Sequence, residues 1–246
     1  IPGSVGNYSY AWTVPAGAAL PGSVATFNAT VAGNYTVIIT DTVTTCISES
    51  ATGSLTISPV PTVTVSSPPV CAGNSATVTA TPVPAGNYNF VWTFPAGATD
   101  PGNVASFSTS IPGLYSVVVT NTITNCPSAS VSTNVVINIV PLVTIVSSPV
   151  CSGQNATVTA TPNTPGNYNY LWSVPSGANN PGNVATFSTA VAGNYSLIMT
   201  DATTNCPSAS TAVTVVINPT PTVTVASSLI CSGGTATITA TPGAPG

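Results

Sequence analysis

An uninterrupted internal repeat of 80 residues constrains this chain more than any other feature. Trp12, Trp92 and Trp172 are spaced by 80, as are Tyr35, Tyr115 and Tyr195, and Pro21, Pro101 and Pro181. The six cysteines fall into two series on the same step: Cys46, Cys126 and Cys206, then Cys71, Cys151 and Cys231. Self-similarity at a fixed period means that one supersecondary unit is built several times over. Proline-rich joints at Ser58-Pro59-Val60-Pro61, Ile139-Val140-Pro141 and Pro219-Thr220-Pro221 divide the copies. Complete units are therefore expected at 60–139 and 140–219. Residues 1–59 form a partial repeat lacking its first strand region, and 220–246 form the start of a further one. The two ends overlap one period on, residues 241–246 standing where 1–6 stand. The plain expectation is a window into a longer array. A second is strand donation, the opening piece of one subunit completing the next.

No window has a helical period. Short runs rich in Val, Thr and Tyr recur between Pro, Gly, Asn and Ser clusters, which is the pattern of an all-β chain. In the unit 60–139, strands are expected near 62–66 (A), 75–81 (B), 88–94 (C), 103–109 (E), 113–120 (F) and 129–138 (G). Alternation assigns faces. Tyr88, Phe90, Trp92 and Phe94 share one side of strand C, and Ala76, Val78 and Ala80 share one side of strand B. Small alanines facing large rings let two sheets interdigitate across a thin core. Tyr115, Val117 and Val119 point inward from strand F, and Gly113 with Tyr115 has the pattern of a tyrosine corner. The expected core is thus anchored on Trp12, Trp92, Trp172, Tyr35, Tyr115 and Tyr195.

Composition removes whole classes of function. The chain has no Lys, Arg or His and only four carboxylates, Asp41, Glu49, Asp100 and Asp201. Without cations there is no footing for nucleic acid or for a polybasic membrane contact, so neither partner is expected. No apolar run approaches the ~20 residues of a spanning helix. Without His there is no His-based triad and no His metal ligand. No repeat supplies a reproducible carboxylate pair for glycoside hydrolysis. Asp41 and Asp201 share a repeat position with Asn121, which reads as a residue capping its own turn rather than as a calcium site. No catalytic, cofactor or metal site is assigned, and the chain is not expected to be an enzyme.

Three motifs carry a family resemblance. Val70-Cys71-Ala72-Gly73 opens a unit before strand B. Tyr10-Ala11-Trp12-Thr13-Val14-Pro15-Ala16-Gly17 forms strand C and its turn, and Gly33-Asn34-Tyr35-Thr36-Val37-Ile38-Ile39-Thr40 forms strand F. Together they resemble the PKD-like, immunoglobulin-like repeats of bacterial (Bacteroidota-type) surface adhesin and fibre proteins, over the whole chain. Pro95-Ala96-Gly97 stands where founding PKD domains have a W-x-F-G-D-G turn. The resemblance implies tandem immunoglobulin-like (PKD-like) β-sandwich domains, secretion to a bacterial exterior, and a role in adhesion or spacing. Within the same group, Asp41-Thr42-Val43 resembles a short O-glycan acceptor, which marks Thr42.

The cysteines read as disulfide half-cystines in an oxidising compartment, since no C-x-x-C pair exists for zinc and nothing cationic activates a thiol. Their connectivity stays open at this level. Strands B and F run parallel in an immunoglobulin topology, so Cys71 before B and Cys126 after F lie at opposite poles. The pole bearing Cys71 faces the next unit's F–G turn, so one reading is an inter-domain Cys71–Cys206 bond. The alternative is intra-domain Cys71–Cys126 and Cys151–Cys206, which requires a different topology. Two functional expectations follow. One is a stiff extracellular spacer of a surface stalk, fibre or filament, with lateral or end-to-end self-association through edges that lack charged guards. The other is an adhesive module for glycans or another neutral surface, its ligand unknown.

Overall fold

The computed structural model describes residues 6–243, and every regular element among them is a β-strand. The first sheet holds β1 (Tyr8–Thr13), β2 (Gly33–Asp41) and β3 (Ala51–Leu55) in that order. Eight strands follow: β4 (Thr62–Ser66), β5 (Val70–Cys71), β6 (Ala76–Val83), β7 (Tyr88–Thr93), β8 (Ser106–Thr109), β9 (Gly113–Asn121), β10 (Val131–Val135) and β11 (Ile137–Asn138). One period later the set returns as β12 (Val143–Ser147), β13 (Val150–Cys151), β14 (Ala156–Pro162), β15 (Tyr168–Ser173), β16 (Thr186–Thr189), β17 (Gly193–Asp201), β18 (Thr211–Val215) and β19 (Ile217–Asn218). A last hairpin joins β20 (Val223–Ser227) to β21 (Ile238–Pro242).

Each complete set makes two antiparallel sheets of three strands. In the first, β4-β6-β8 and β10-β9-β7 face one another; in the second, β12-β14-β16 face β15-β17-β18. Two-residue parallel pairs, β5 with β11 and β13 with β19, close one edge of each sandwich. The chain is therefore an all-β array of tandem immunoglobulin-like β-sandwiches. Ala76, Val78 and Ala80 on β6 are buried against Trp92 of β7 and Tyr115, Val117 and Val119 of β9. Ala156, Val158 and Ala160 repeat this against Trp172, Tyr195, Leu197 and Met199.

A third ring completes the stack. Phe107 meets Trp92 edge-on at 4.9 Å between centroids and leans on Tyr115 at 5.7 Å. Such tilted geometries suit the ring quadrupoles. Tyr115 forms the expected corner, its hydroxyl donating to the Ile111 carbonyl at 3.0 Å and lying 2.9 Å from Thr109 Oγ1. Gly113 is required beside it: its φ is +135°, and a β-carbon there would sit 3.2 Å from Pro95.

Two strands depart from their expected spans. Strand E begins at Ser106 rather than 103, because the residues before it serve strand C instead. Asn103 Oδ1 accepts the Phe90 N–H at 2.7 Å, and the Val104 carbonyl accepts the Trp92 indole N–H at 2.9 Å. Strand G is divided into β10 and β11. At Val136 the chain leaves β9, and its carbonyl accepts the Val70 N–H at 3.1 Å, which starts the parallel pair with β5. The expected overlap of 1–6 with 241–246 falls largely outside the described residues.

Candidate functional site

The joint between consecutive sandwiches is the place where this sequence concentrates chemistry, and it is made of two preset turns. The first follows β5. The Asn74 N–H donates to the Cys71 carbonyl at 3.1 Å, and Gly73 takes a φ of +92° that other residues rarely adopt. Gln154 and Gly234 make the same bond to the carbonyls of Cys151 and Cys231, at 3.0 Å in both cases. The second turn follows strand F. Asp201 Oδ1 accepts the N–H groups of Thr203 and Thr204, both at 2.8 Å, and Asn205 has a φ of +57°. Asp41 and Asn121 cap the other two copies identically through Oδ1. This is the side-chain-to-own-backbone turn expected of Asp and Asn. The backbone N–H groups of Thr204 and then Thr203 hold the Asp201 carboxyl below the usual range, as those of Thr44 and Val43 do for Asp41.

Between β11 and β12 only four residues, 139–142, connect the two complete sandwiches. That connection brings the F–G turn of the second onto the opening turn of the first, and Cys71 and Cys206 are disulfide-bonded, with Cα atoms 5.5 Å apart. The separation lies in the ordinary disulfide range. Cys206 is fully buried in the joint, and the Thr204 hydroxyl beside it is buried as well. The intra-domain pairing Cys71–Cys126 with Cys151–Cys206 is not the arrangement observed: Cys126 and Cys151 are free, as are Cys46 and Cys231. The reason is topological. β6 and β9 each pair antiparallel with neighbours that leave the start of one and the end of the other at opposite poles.

The other candidate residues fall apart from this joint. Trp12, Trp92 and Trp172 each donate an indole N–H to a carbonyl twelve residues on, at 2.9 Å in all three copies. Thr42 is exposed, and its hydroxyl donates to the Asn7 carbonyl at 2.9 Å. Two features were missed from the sequence. Phe27, Phe107 and Phe187 recur on the 80-residue step and complete each aromatic stack. The edge of strand C is guarded without charge, since Asn103 and Asn183 occupy the N–H groups of Phe90 and Tyr170, with Ser23 doing so for Tyr10. The Pro-Gly-Asn repeat was the signal for both asparagines.

One difference between the repeats bears on the surface: among the described residues, the sheet β1-β2-β3 has no second sheet over it. Trp12, Phe27, Tyr35 and Val37 line an open cleft of about 440 Å³, and Tyr10, Ile39 and Ala51 extend it along the same face.

Disulfide-linked immunoglobulin-like sandwiches in tandem are the class this fold and joint define. No protein-family model matches the chain, and no curated protein does. Among solved structures, the N-terminal eight Ig domains of Down Syndrome Cell Adhesion Molecule are similar at 14% identity and a TM-score of 0.45, over 80% of this chain and 28% of that one. The insect immune protein hemolin is similar at 13% identity and 0.33, over 76% and 56%. The S-layer protein SbsC is similar at 12% identity and 0.30, over 98% and 44%. The chain thus spans about a quarter of the first of these, and the likeness is one of fold.

Proposed function

We propose that this chain is a stiff structural segment of a secreted surface stalk or fibre, of the bacterial PKD-like kind, built from units at 60–139 and 140–219. The observation that carries this reading is the Cys71–Cys206 bond. One short linker alone leaves two sandwiches free to swing about it. A second, covalent attachment, at Cys71 beside Asn138 where the linker begins, restricts that swing by tying the F–G turn of the next sandwich to the same pole. The remaining features serve the same end. The surface is nearly free of charge, with Lys+Arg 0, which leaves trypsin-like proteases no cleavage site and salt little to screen. A disulfide of this kind persists in an oxidising, extracellular setting. No helix among the described residues is long and apolar enough to cross a membrane.

Small-angle scattering tests the reading directly. The oxidised chain is expected to scatter as an extended body of fixed length. Cys71→Ser is expected to keep the strand content while the scattering acquires the signature of a flexible joint. Equal stiffness with and without the bond removes the basis for a spacer held by staples.

A further inference from the structure

The sheet of residues 7–59, with its open cleft, and the last hairpin correspond to the two parts of a complete repeat. In the complete repeats that cleft is filled by the A–B hairpin, β4 with β6 and β12 with β14. There Val63 and Val78 are 5% and 0% exposed. The hairpin β20–β21 has the same strands in the same register, Val223 opposite Pro242 as Val63 is opposite Pro82. Among the described residues it covers no other sheet: Val223 and Ile238 are 66% and 69% exposed. On the other half, Phe27 sits in a segment that forms no strand, whereas its equivalents Phe107 and Phe187 lie on β8 and β16, paired with β6 and β14. Ile57, equivalent to Ile137 of β11, is likewise exposed.

We propose that the cleft of residues 7–59 accepts the β20–β21 hairpin of a second copy of this chain, head to tail, and that two disulfides lock the junction. Docked in the register of the complete repeats, Ile238 of the donor lies opposite Phe27 of the acceptor, as Val78 lies opposite Phe107. Ile230 and Cys231 pair in parallel with the acceptor's Ile57 and Ser58, as β5 pairs with β11. The second copy then continues the first, three periods on. Its Cys46 falls where the partner of Cys151 belongs, and its Cys126 where the partner of Cys231 belongs. Both pairs reproduce the 135-residue offset of Cys71–Cys206. All four free cysteines are consumed, with none left over. The F–G turns that present Cys46 and Cys126 share a local contact with that of the bonded Cys206, each Sγ lying 3.7–3.8 Å from the carbonyl of the Thr two residues before it.

Each bridge forms by thiol–disulfide exchange. A Cys thiolate attacks a small-molecule disulfide oxidant and expels one thiolate. The facing Cys then displaces the second, so two protons and two electrons leave the protein and the oxidant becomes two thiols. A preceding repeat in a longer polypeptide would supply the same hairpin in cis. That leaves the behaviour of residues 1–246 by themselves unchanged.

This inference deepens the spacer reading, and the two fail separately. The chain of residues 1–246 is refolded with oxidised and reduced glutathione, then examined over rising concentration by light scattering and non-reducing peptide mapping. Expected are multiples of the chain mass, with crosslinked peptides joining Cys151 to Cys46 and Cys231 to Cys126. Ile238→Asp, which places an unpaired charge in the buried strand, should raise the concentration needed for assembly about 100-fold or more. Should that variant misfold, an excess of the free peptide 219–242 added to the unaltered chain should cap the assembly instead. A monomer with four free thiols, or crosslinks between like cysteines, overturns the proposal. A stiff monomer would leave the spacer standing; flexible assemblies would remove the spacer and leave the junction.

Discussion

Residues 7–59 and residues 62–138 carry the same aromatic frame, and only one of them is covered. The Trp–Phe and Phe–Tyr centroid distances are 5.0 and 5.8 Å in the first, 4.9 and 5.7 Å in the second. The indole bond to the carbonyl twelve residues on is the same length in both. Yet Trp92 is buried where Trp12 is half-buried, and Val117 and Val119 are buried where Val37 and Ile39 are not. The frame is therefore set locally, by strands C and F and the segment between them. The A–B hairpin adds burial and turns the segment around Phe27 into a paired strand, as in β8 and β16, without altering the ring geometry. That division of labour is what makes a hairpin exchangeable.

The largest expected effect tests this division. Trp92→Ala removes a buried indole and should destabilise its sandwich by about 3–5 kcal/mol. Trp12→Ala removes a half-exposed one and should cost roughly 1–2 kcal/mol. Hydrogen exchange of peptides from β9 and β2 reads the two repeats separately, which a single melting curve of a multi-sandwich chain does not. Equal losses would mean that the frame depends on its cover after all. The hairpins sharpen the same contrast. Val78→Ala should cost about 2 kcal/mol in a closed core, whereas Ile238→Ala, on an exposed strand, should change the monomer by under about 0.5 kcal/mol.

Much of this was legible in the sequence, because the repeat turns each position into three observations. Strand A at 62–66 and the inward row Ala76, Val78, Ala80 follow from period-2 alternation, and the structure places them so. The pole argument for Cys71 needed only the parallel course of strands B and F. What stayed hidden depends on three-dimensional partners. The late start of β8 follows from Asn103 and Val104 being drawn to strand C, and no local pattern announces a side chain that caps an edge thirteen residues away. For the same reason, the edge at strand C, read as unguarded for want of charge, has amide oxygens on the Phe90 and Tyr170 N–H groups.

The tyrosine corner offers a subtler break between the two regions. Tyr115 and Tyr195 bond both a carbonyl and a threonine hydroxyl, at 2.9 and 2.7 Å for the latter. At the equivalent place residues 7–59 have Ala29, and Tyr35 keeps the Val31 carbonyl alone, at 2.8 Å. Tyr115→Phe takes one partner from the half-buried Thr109 hydroxyl, which keeps the Ile111 N–H, as well as losing its own bond to the Ile111 carbonyl, and should cost about 1–2 kcal/mol. Tyr35→Phe should cost less than half as much by the same exchange measurement.

The smallest effect separates the F–G turns by charge. Asp41 and Asp201 are held below the ordinary carboxylate range by backbone N–H groups, while Asn121 makes the same bonds with a neutral amide. A depressed folded pKa contributes stability that is complete above the unfolded value, near 4, and is lost as pH falls through the folded one. Both carboxylates are exposed, so the effect is local to the turn. Between pH 5 and pH 2, the amide resonances of Val43, Thr44, Thr203 and Thr204 should therefore move as their acceptor is protonated. Those of Ile123 and Thr124 should stay in place, and Asp201→Asn should silence Thr203 and Thr204. Uniform movement in all three turns would mean that acid acts on the sandwiches as a whole and that the Asp-for-Asn exchange carries no consequence. If the movement is confined to the two Asp turns, the one that presents Cys206 is the acid-sensitive half of the bonded joint. The Cys71 half, built on glycine and backbone bonds, has nothing to titrate.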